Sequence, residues 1–112
     1  MELETREISG AVVIEISGEI NVGNAPRIRE EVTRLIGSGK HVLLINMGGV
    51  EAIDSSGIGA LVHTLTNIKK VKGTLKICAI SPPVRRILEL MKLPAIFDIY
   101  ESEDEAVASL NS

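Results

Sequence analysis

The feature that most restricts the fold is a regular alternation of short β-branched apolar runs with segments of helical period. Val42-Leu43-Leu44-Ile45 is a continuous apolar run of strand length, the pattern of a strand covered on both faces. Before it, Ala25, Ile28, Val32, Leu35 and Ile36 recur at helical spacing with charged residues between them. After it, Ile58, Leu61, Val62, Leu65 and Ile68 do the same, and a second buried-type run follows at residues 75–80. Strands that alternate with helices in this way imply a mostly parallel sheet with right-handed crossovers.

The remaining segments extend that frame. Residues 3–8 and 11–17 are strand-like and separated by Ser9-Gly10, a two-residue break suited to a hairpin. The first helix starts at about Asn24 and stops at Gly37-Ser38-Gly39. The second is predicted over residues 56–71, with Lys69, Lys70 and Lys72 at its C-terminal end and Gly73 beyond. Ser81-Pro82 opens a third, with serine as N-cap, an inner face of Val84, Ile87, Leu88 and Met91, and Pro94 as its stop. Residues 96–100 form a last short strand. Ser102-Glu103-Asp104-Glu105 is a capping box for a fourth helix that turns Ala106, Val107 and Leu110 inward. The expected architecture is an α/β fold: a mixed, mostly parallel sheet with an N-terminal β-hairpin and about four helices. At 112 residues, 45% hydrophobic and 24% charged, one domain spanning 1–112 is expected.

In such a sheet the loops after the second, third and fourth strands leave from carboxyl ends, where open α/β folds keep their sites. They carry Glu19-Ile20-Asn21, Asp54-Ser55-Ser56 and Ser81, and are expected to gather into one patch.

Several functions are disfavoured. A net charge of −3 and 2% aromatic residues give a nucleic acid neither a basic surface nor stacking platforms. No apolar stretch reaches the ~20 residues that span a bilayer, and the N-terminus lacks the basic and apolar regions of a signal peptide. A cytoplasmic location without membrane attachment is expected. A serine hydrolase needs histidine beside its nucleophile, but His63 lies two turns along the helix from Ser55, about 12 Å away. His41 sits at the opposite edge of the sheet, and the block around Ser55 is not a GxSxG elbow. Two distant histidines and Cys78, in the apolar run Lys76-Ile77-Cys78-Ala79-Ile80, offer no metal-ligand spacing, so neither catalytic residues nor a metal are expected. Gly57-Ile58-Gly59 contains a GxG, but Val62 stands where a third small residue belongs and the next strand ends without a carboxylate. No cofactor is expected.

That leaves Asp54-Ser55-Ser56-Gly57-Ile58-Gly59, with two hydroxyls, a carboxylate and two glycines at one strand-to-helix junction. Serine there ordinarily caps a helix; an exposed serine is equally a phosphoacceptor, because a helix start favours negative charge. Spacing alone leaves both open. Gly57 and Gly59 cost helix propensity and would let a partner's backbone come close.

Gly18-Glu19-Ile20-Asn21, Ile53-Asp54-Ser55-Ser56-Gly57-Ile58-Gly59 and Cys78-Ala79-Ile80-Ser81-Pro82-Pro83-Val84-Arg85-Arg86 closely resemble the bacterial anti-sigma factor antagonists, the small single-domain branch of the STAS family. The resemblance implies partner switching. The unphosphorylated protein would bind an anti-sigma factor that is also a serine kinase, freeing a sigma factor for transcription. ATP-dependent phosphorylation of Ser55 would end that complex, and a PP2C-type phosphatase would reset it. It implies a binding protein and phosphoacceptor, not an enzyme. Partner-binding residues would be Glu19, Asn21, Asp54, Ser56, Gly57, Ile58 and Gly59, with Ser56 capping the helix and Leu61 in the core. Where the family commonly has aspartate, this chain has Asn21, which keeps the acceptor oxygen and loses the charge. Two alternatives stand beside this reading: a constitutive STAS interaction module, in a stress-signalling scaffold or a transporter subunit, and a nucleoside-phosphate site at residues 54–59.

Overall fold

The computed structural model describes residues 1–111. Strands β1 (Glu2–Ile8) and β2 (Ala11–Ile20) form an antiparallel hairpin. Its turn residues Ser9 and Gly10 both take positive φ, 50° and 83°, as a two-residue turn that matches strand twist requires. Strands β3 (Val42–Ile53), β4 (Thr74–Cys78) and β5 (Ile99–Tyr100) then add in parallel, so that sheet order equals chain order. The connections are α1 (Ala25–Gly37), α2 (Ser55–Lys70) and α3 (Pro82–Leu90). Crossovers of one hand between strands in sequential order place all three helices on one face. The main core accordingly joins Ile14, Ile45 and Ile77 of the strands to Ile28 of α1, Leu61 of α2 and Leu88 of α3.

Val13 and Leu44, one residue out of step, point to the opposite face. There α4 (Glu103–Ser109) covers them with Ala106. Ser102 caps that helix by accepting from the Glu105 backbone N–H at 3.1 Å, the expected half of a capping box. Cys78 belongs to the same cluster, and burial pushes its thiol up to about 11, so it behaves as a small apolar residue. Lys76 is accommodated in the buried β4 because its Nζ donates to Asp98 Oδ2 at 2.7 Å and to the Tyr100 hydroxyl at 3.0 Å.

Five expectations are corrected. Strand β3 runs on through Gly48-Gly49 to Ile53, far past residue 45, and β2 continues to Ile20. A Cβ on Gly49 would lie 2.6 Å from the Ser17 Cβ, so glycine lets the two strands stay together where their register shifts. Strand β5 is only two residues, because Ile96 and Phe97 still turn with the preceding 3₁₀ segment Leu93–Ala95, their N–H groups donating to the Leu93 carbonyl. Met91 is not on an inner face: it caps the C-terminus of α3 and is 51% exposed. Ser81 stands at the N-cap position of α3 but makes no cap hydrogen bond; its hydroxyl donates to the Val50 carbonyl at 2.9 Å.

The docking of α4 depends on Glu103, which accepts from the Arg6 guanidinium of β1 and from Asn46 Nδ2 of β3 at 3.0 Å. The Arg6 hydrogen bond, with that of Asn46, holds the Glu103 carboxyl below its ordinary 4.5. A depressed carboxylate stabilises the fold above the unfolded-state pKa, and that contribution is lost as pH falls through the folded value. Glu103→Gln is therefore expected to lower stability by about 0.5–1.5 kcal/mol at pH 7. The difference should shrink below pH 4. Urea denaturation across this range checks it, and parallel curves for the two proteins would contradict the assignment.

Candidate functional site

Strands β2 and β3 stay paired to Ile20 and Ile53, and the Asp54 N–H donates to the Ile20 carbonyl at 3.1 Å. The loops that follow the two strands therefore start side by side. At the head of α2, Asp54 is extended and its Oδ1 accepts from the backbone N–H groups of Ser56 at 2.9 Å and Gly57 at 3.1 Å. Asp54, not Ser56, is the cap. A capping acceptor must sit just before the first helical residue to reach back over the open N–H groups. Ser55 and Ser56 are already the first two helical residues. Ser55 and Asp54 are exposed, and Ser56 is half-buried.

The adjoining loop is closed by its own side chains. Asn21 Oδ1 accepts from the Gly23 N–H at 2.9 Å, an Asx turn. Asn24 Oδ1 accepts from the Asn21 N–H, and its Nδ2 donates to the Glu19 carbonyl, both at 2.9 Å. This cross-bracing leaves Val22 at the tip, 74% exposed. Sequence reasoning passed over Val22; its signal was an isolated β-branched residue between Asn21 and Gly23-Asn24. Glu19 is exposed at the loop's start and Asn21 is half-buried.

The glycines divide. A Cβ on Gly57 would come within 2.5 Å of Ile53 Cγ1 and 2.7 Å of Ile20 Cγ2, so this glycine seats α2 on the strand ends. Ile58 is buried in the core with Leu61. Gly59 is half-buried, and the one atom near its absent Cβ is Arg29 Nη2, at 3.1 Å. Ser81 does not join the patch, because its bond to Val50 fastens α3 three residues before β3 ends, about 10 Å short. The candidate site is thus built from two loops, not three.

Its chemistry is that of a presented hydroxyl. His63 stays two turns along α2, with its ring hydrogen-bonded to the Asn67 side-chain amide. Among the described residues no three His, Cys, Asp or Glu side chains cluster as metal ligands, and no helix is long and apolar enough to cross a membrane.

A sheet with its three crossover helices on one face and a fourth helix on the other, a hairpin at one edge and an exposed serine opening the Asp54-capped second helix are the features of a STAS domain. The family model of that domain matches residues 2–106, and the chain belongs to the STAS family. The anti-sigma-B factor antagonist of Bacillus subtilis is 30% identical over 107 residues, covering 96% of this chain and 97% of that protein. The crystal structure of an anti-sigma factor antagonist from Mycobacterium paratuberculosis superposes with a TM-score of 0.90 at 24% identity, over 99% of this chain and 94% of that one. The anti-sigma factor antagonist SpoIIAA in its unphosphorylated form matches at a TM-score of 0.80 with 20% identity, covering 99% of both chains. The Bacillus SpoIIAA structure in its phosphorylated form matches at 0.77 with 22% identity, covering 97% of this chain and 99% of that one.

The division of labour at the head of α2 is testable by urea denaturation. Asp54→Ala should cost about 1 kcal/mol and Ser56→Ala much less. Gly57→Ala should cost about 1–3 kcal/mol through overpacking, whereas Gly59→Ala should be neutral or gain up to about 1 kcal/mol in helix propensity. The opposite order within either pair would contradict these roles.

Proposed function

We propose that this chain is an anti-sigma factor antagonist that works by partner switching. Unphosphorylated, it binds an anti-sigma factor with serine kinase activity, and the sigma factor is released. That kinase phosphorylates Ser55 with ATP, the complex dissociates, and a PP2C-type phosphatase restores the binding form. The chain acts in the cytoplasm as one STAS domain over residues 1–112, as ligand and phosphoacceptor rather than as catalyst. The observation that carries this reading is the exposed hydroxyl of Ser55, held on a rigid capped helix beside the braced loop at residues 21–24.

The contact surface consists of Glu19, Asn21, Val22, Asp54, Ser56 and Gly59 around Ser55. Val22 supplies an apolar anchor in an otherwise polar patch, and Gly57 and Ile58 support it from beneath. Asn21 spends its side-chain oxygen on the Gly23 N–H, a bond that aspartate would also make. Asparagine there keeps the loop's shape and lowers the negative charge beside Ser55.

A phosphate on Ser55 brings about −1.5 to −2 charges near neutral pH. It does not inherit the open donors of Ser56 and Gly57, because Asp54 already holds them. The modification therefore acts by charge and bulk at the interface, not by refolding. The match of one backbone to both forms of SpoIIAA supports that view.

Intact-mass analysis after incubation with ATP and a candidate anti-sigma kinase tests the proposal. One phosphoryl group is expected, located on Ser55 by fragmentation and absent from Ser55→Ala. Ser55→Ala should bind the kinase within a few-fold of wild type, and Ser55→Asp at least ~10-fold more weakly, about 1.4 kcal/mol. An unmodified protein that binds no such kinase would overturn it.

A further inference from the structure

Helices α1 and α2 both start at the carboxyl edge of the sheet and pack side by side. Between them runs a groove of about 330 Å³ lined by Thr33, Ile36, His63, Asn67, Lys70 and Val71. His63 and Asn67 continue a row that begins at Ser55 and passes through Gly59, each four residues from the last. Residues four apart stack on one helical face. Ser55 therefore heads the row of α2 that faces α1.

Arg29 lies across that row. Its Nη2 is 3.1 Å from where a Cβ on Gly59 would be, so the guanidinium rests on bare helix backbone at the second turn of α2. The other two α1 arginines are engaged: Arg27 donates to the Met1 carbonyl at 3.1 Å, and Arg34 pairs with Glu31. Arg29 has no ion-pair partner among the described residues. Cβ atoms four apart on a helix are separated by about 6 Å. One rotamer change in an exposed arginine and the reach of a phosphate close a gap of that order.

The electrostatics point the same way. With the N–H groups of Ser56 and Gly57 already bound by Asp54, and the Asp54 carboxylate alongside, a phosphate on Ser55 meets repulsion on one side and finds those two backbone donors taken. A guanidinium, whose planar fork matches phosphate oxygens, is the complementary group. We propose that Arg29 is the internal counter-ion of phosphorylated Ser55. The proposal rests on Ser55 being the phosphoacceptor and adds a second part to the switch. Modification both places a dianion on the patch and withdraws a cation from its border. Gly59 is the residue that makes the approach possible.

The test installs phosphoserine at position 55 during translation, so that no kinase is needed, and follows the phosphate by ³¹P NMR titration. An ordinary phosphoserine has its second pKa near 6. Asp54 raises it and Arg29 lowers it, while His63, about 12 Å along the helix, is common to all variants. Arg29→Gln is expected to raise the phosphate pKa by about half a unit or more relative to wild type, with Arg29→Lys between them. Backbone amide spectra of the unmodified variants confirm that each is folded. Superimposable titrations of wild type and Arg29→Gln would overturn the counter-ion. If the shift appears although no kinase modifies Ser55, the pairing stands and the partner-switch reading fails. If a kinase modifies Ser55 and no shift appears, the reverse holds.

Discussion

Everything at the candidate site depends on the parallel pairing of β2 and β3 being carried to their last residues. Ile20 faces Ile53, and the next N–H, that of Asp54, still donates to the Ile20 carbonyl. Two chain segments more than thirty positions apart are thereby brought to a common edge by backbone hydrogen bonds, whose geometry leaves little freedom. The first turn of α2 is then pressed onto that edge through Gly57, where any side chain would collide with the two isoleucines. An exposed serine placed this way sits on a rigid base, which is what a repeatable docking event asks of a surface.

The charges around Ser55 follow from the same packing. Because Asp54 turns its carboxylate onto the helix N–H groups, the favourable end of the α2 dipole is already occupied. Added negative charge at Ser55 finds the N–H groups of Ser56 and Gly57 taken, and the lateral neighbour of α2 is α1. Helix α1 lies there because sequential strand order forces both helices onto one face of the sheet. The reverse face is held by α4, through Ala106 and the Glu103 links to Arg6 and Asn46, well separated from the switch.

Much of the architecture was legible from local pattern, and the departures share a cause. The hairpin, the three crossover helices and the Ser102 cap are specified by short-range signals: turn residues, periodicity and a capping box. The apolar run marked only residues 42–45 of β3, yet the strand passes on through Gly48-Gly49, where Ser17 on the neighbouring strand needs the space. Ser81 and Ser56 both read as caps. One hydroxyl instead serves Val50, thirty-one residues away in sequence, and the other loses its place to Asp54. Met91 fits a helical stripe but lies one residue beyond the last helical turn, where the stripe no longer points inward. In each case a long-range partner or an exact helix start decides the outcome, and periodicity carries neither.

By itself, then, the sequence determined the α/β class, the strand and helix order, and the phosphoacceptor-like block at residues 54–59, because each of these is written in spacing and residue type over a few turns. Only the tertiary structure decided which residues of that block face outward: Asp54 and Ser55 are exposed, while Gly57 and Ile58 are spent on packing. It also decided that Val22 stands out from the patch and that Arg29 lies over Gly59. The physical reason is that exposure and charge proximity are properties of elements packed against one another. Here they are set by strand register between β2 and β3 and by the side-by-side seating of α1 and α2, which no local pattern records.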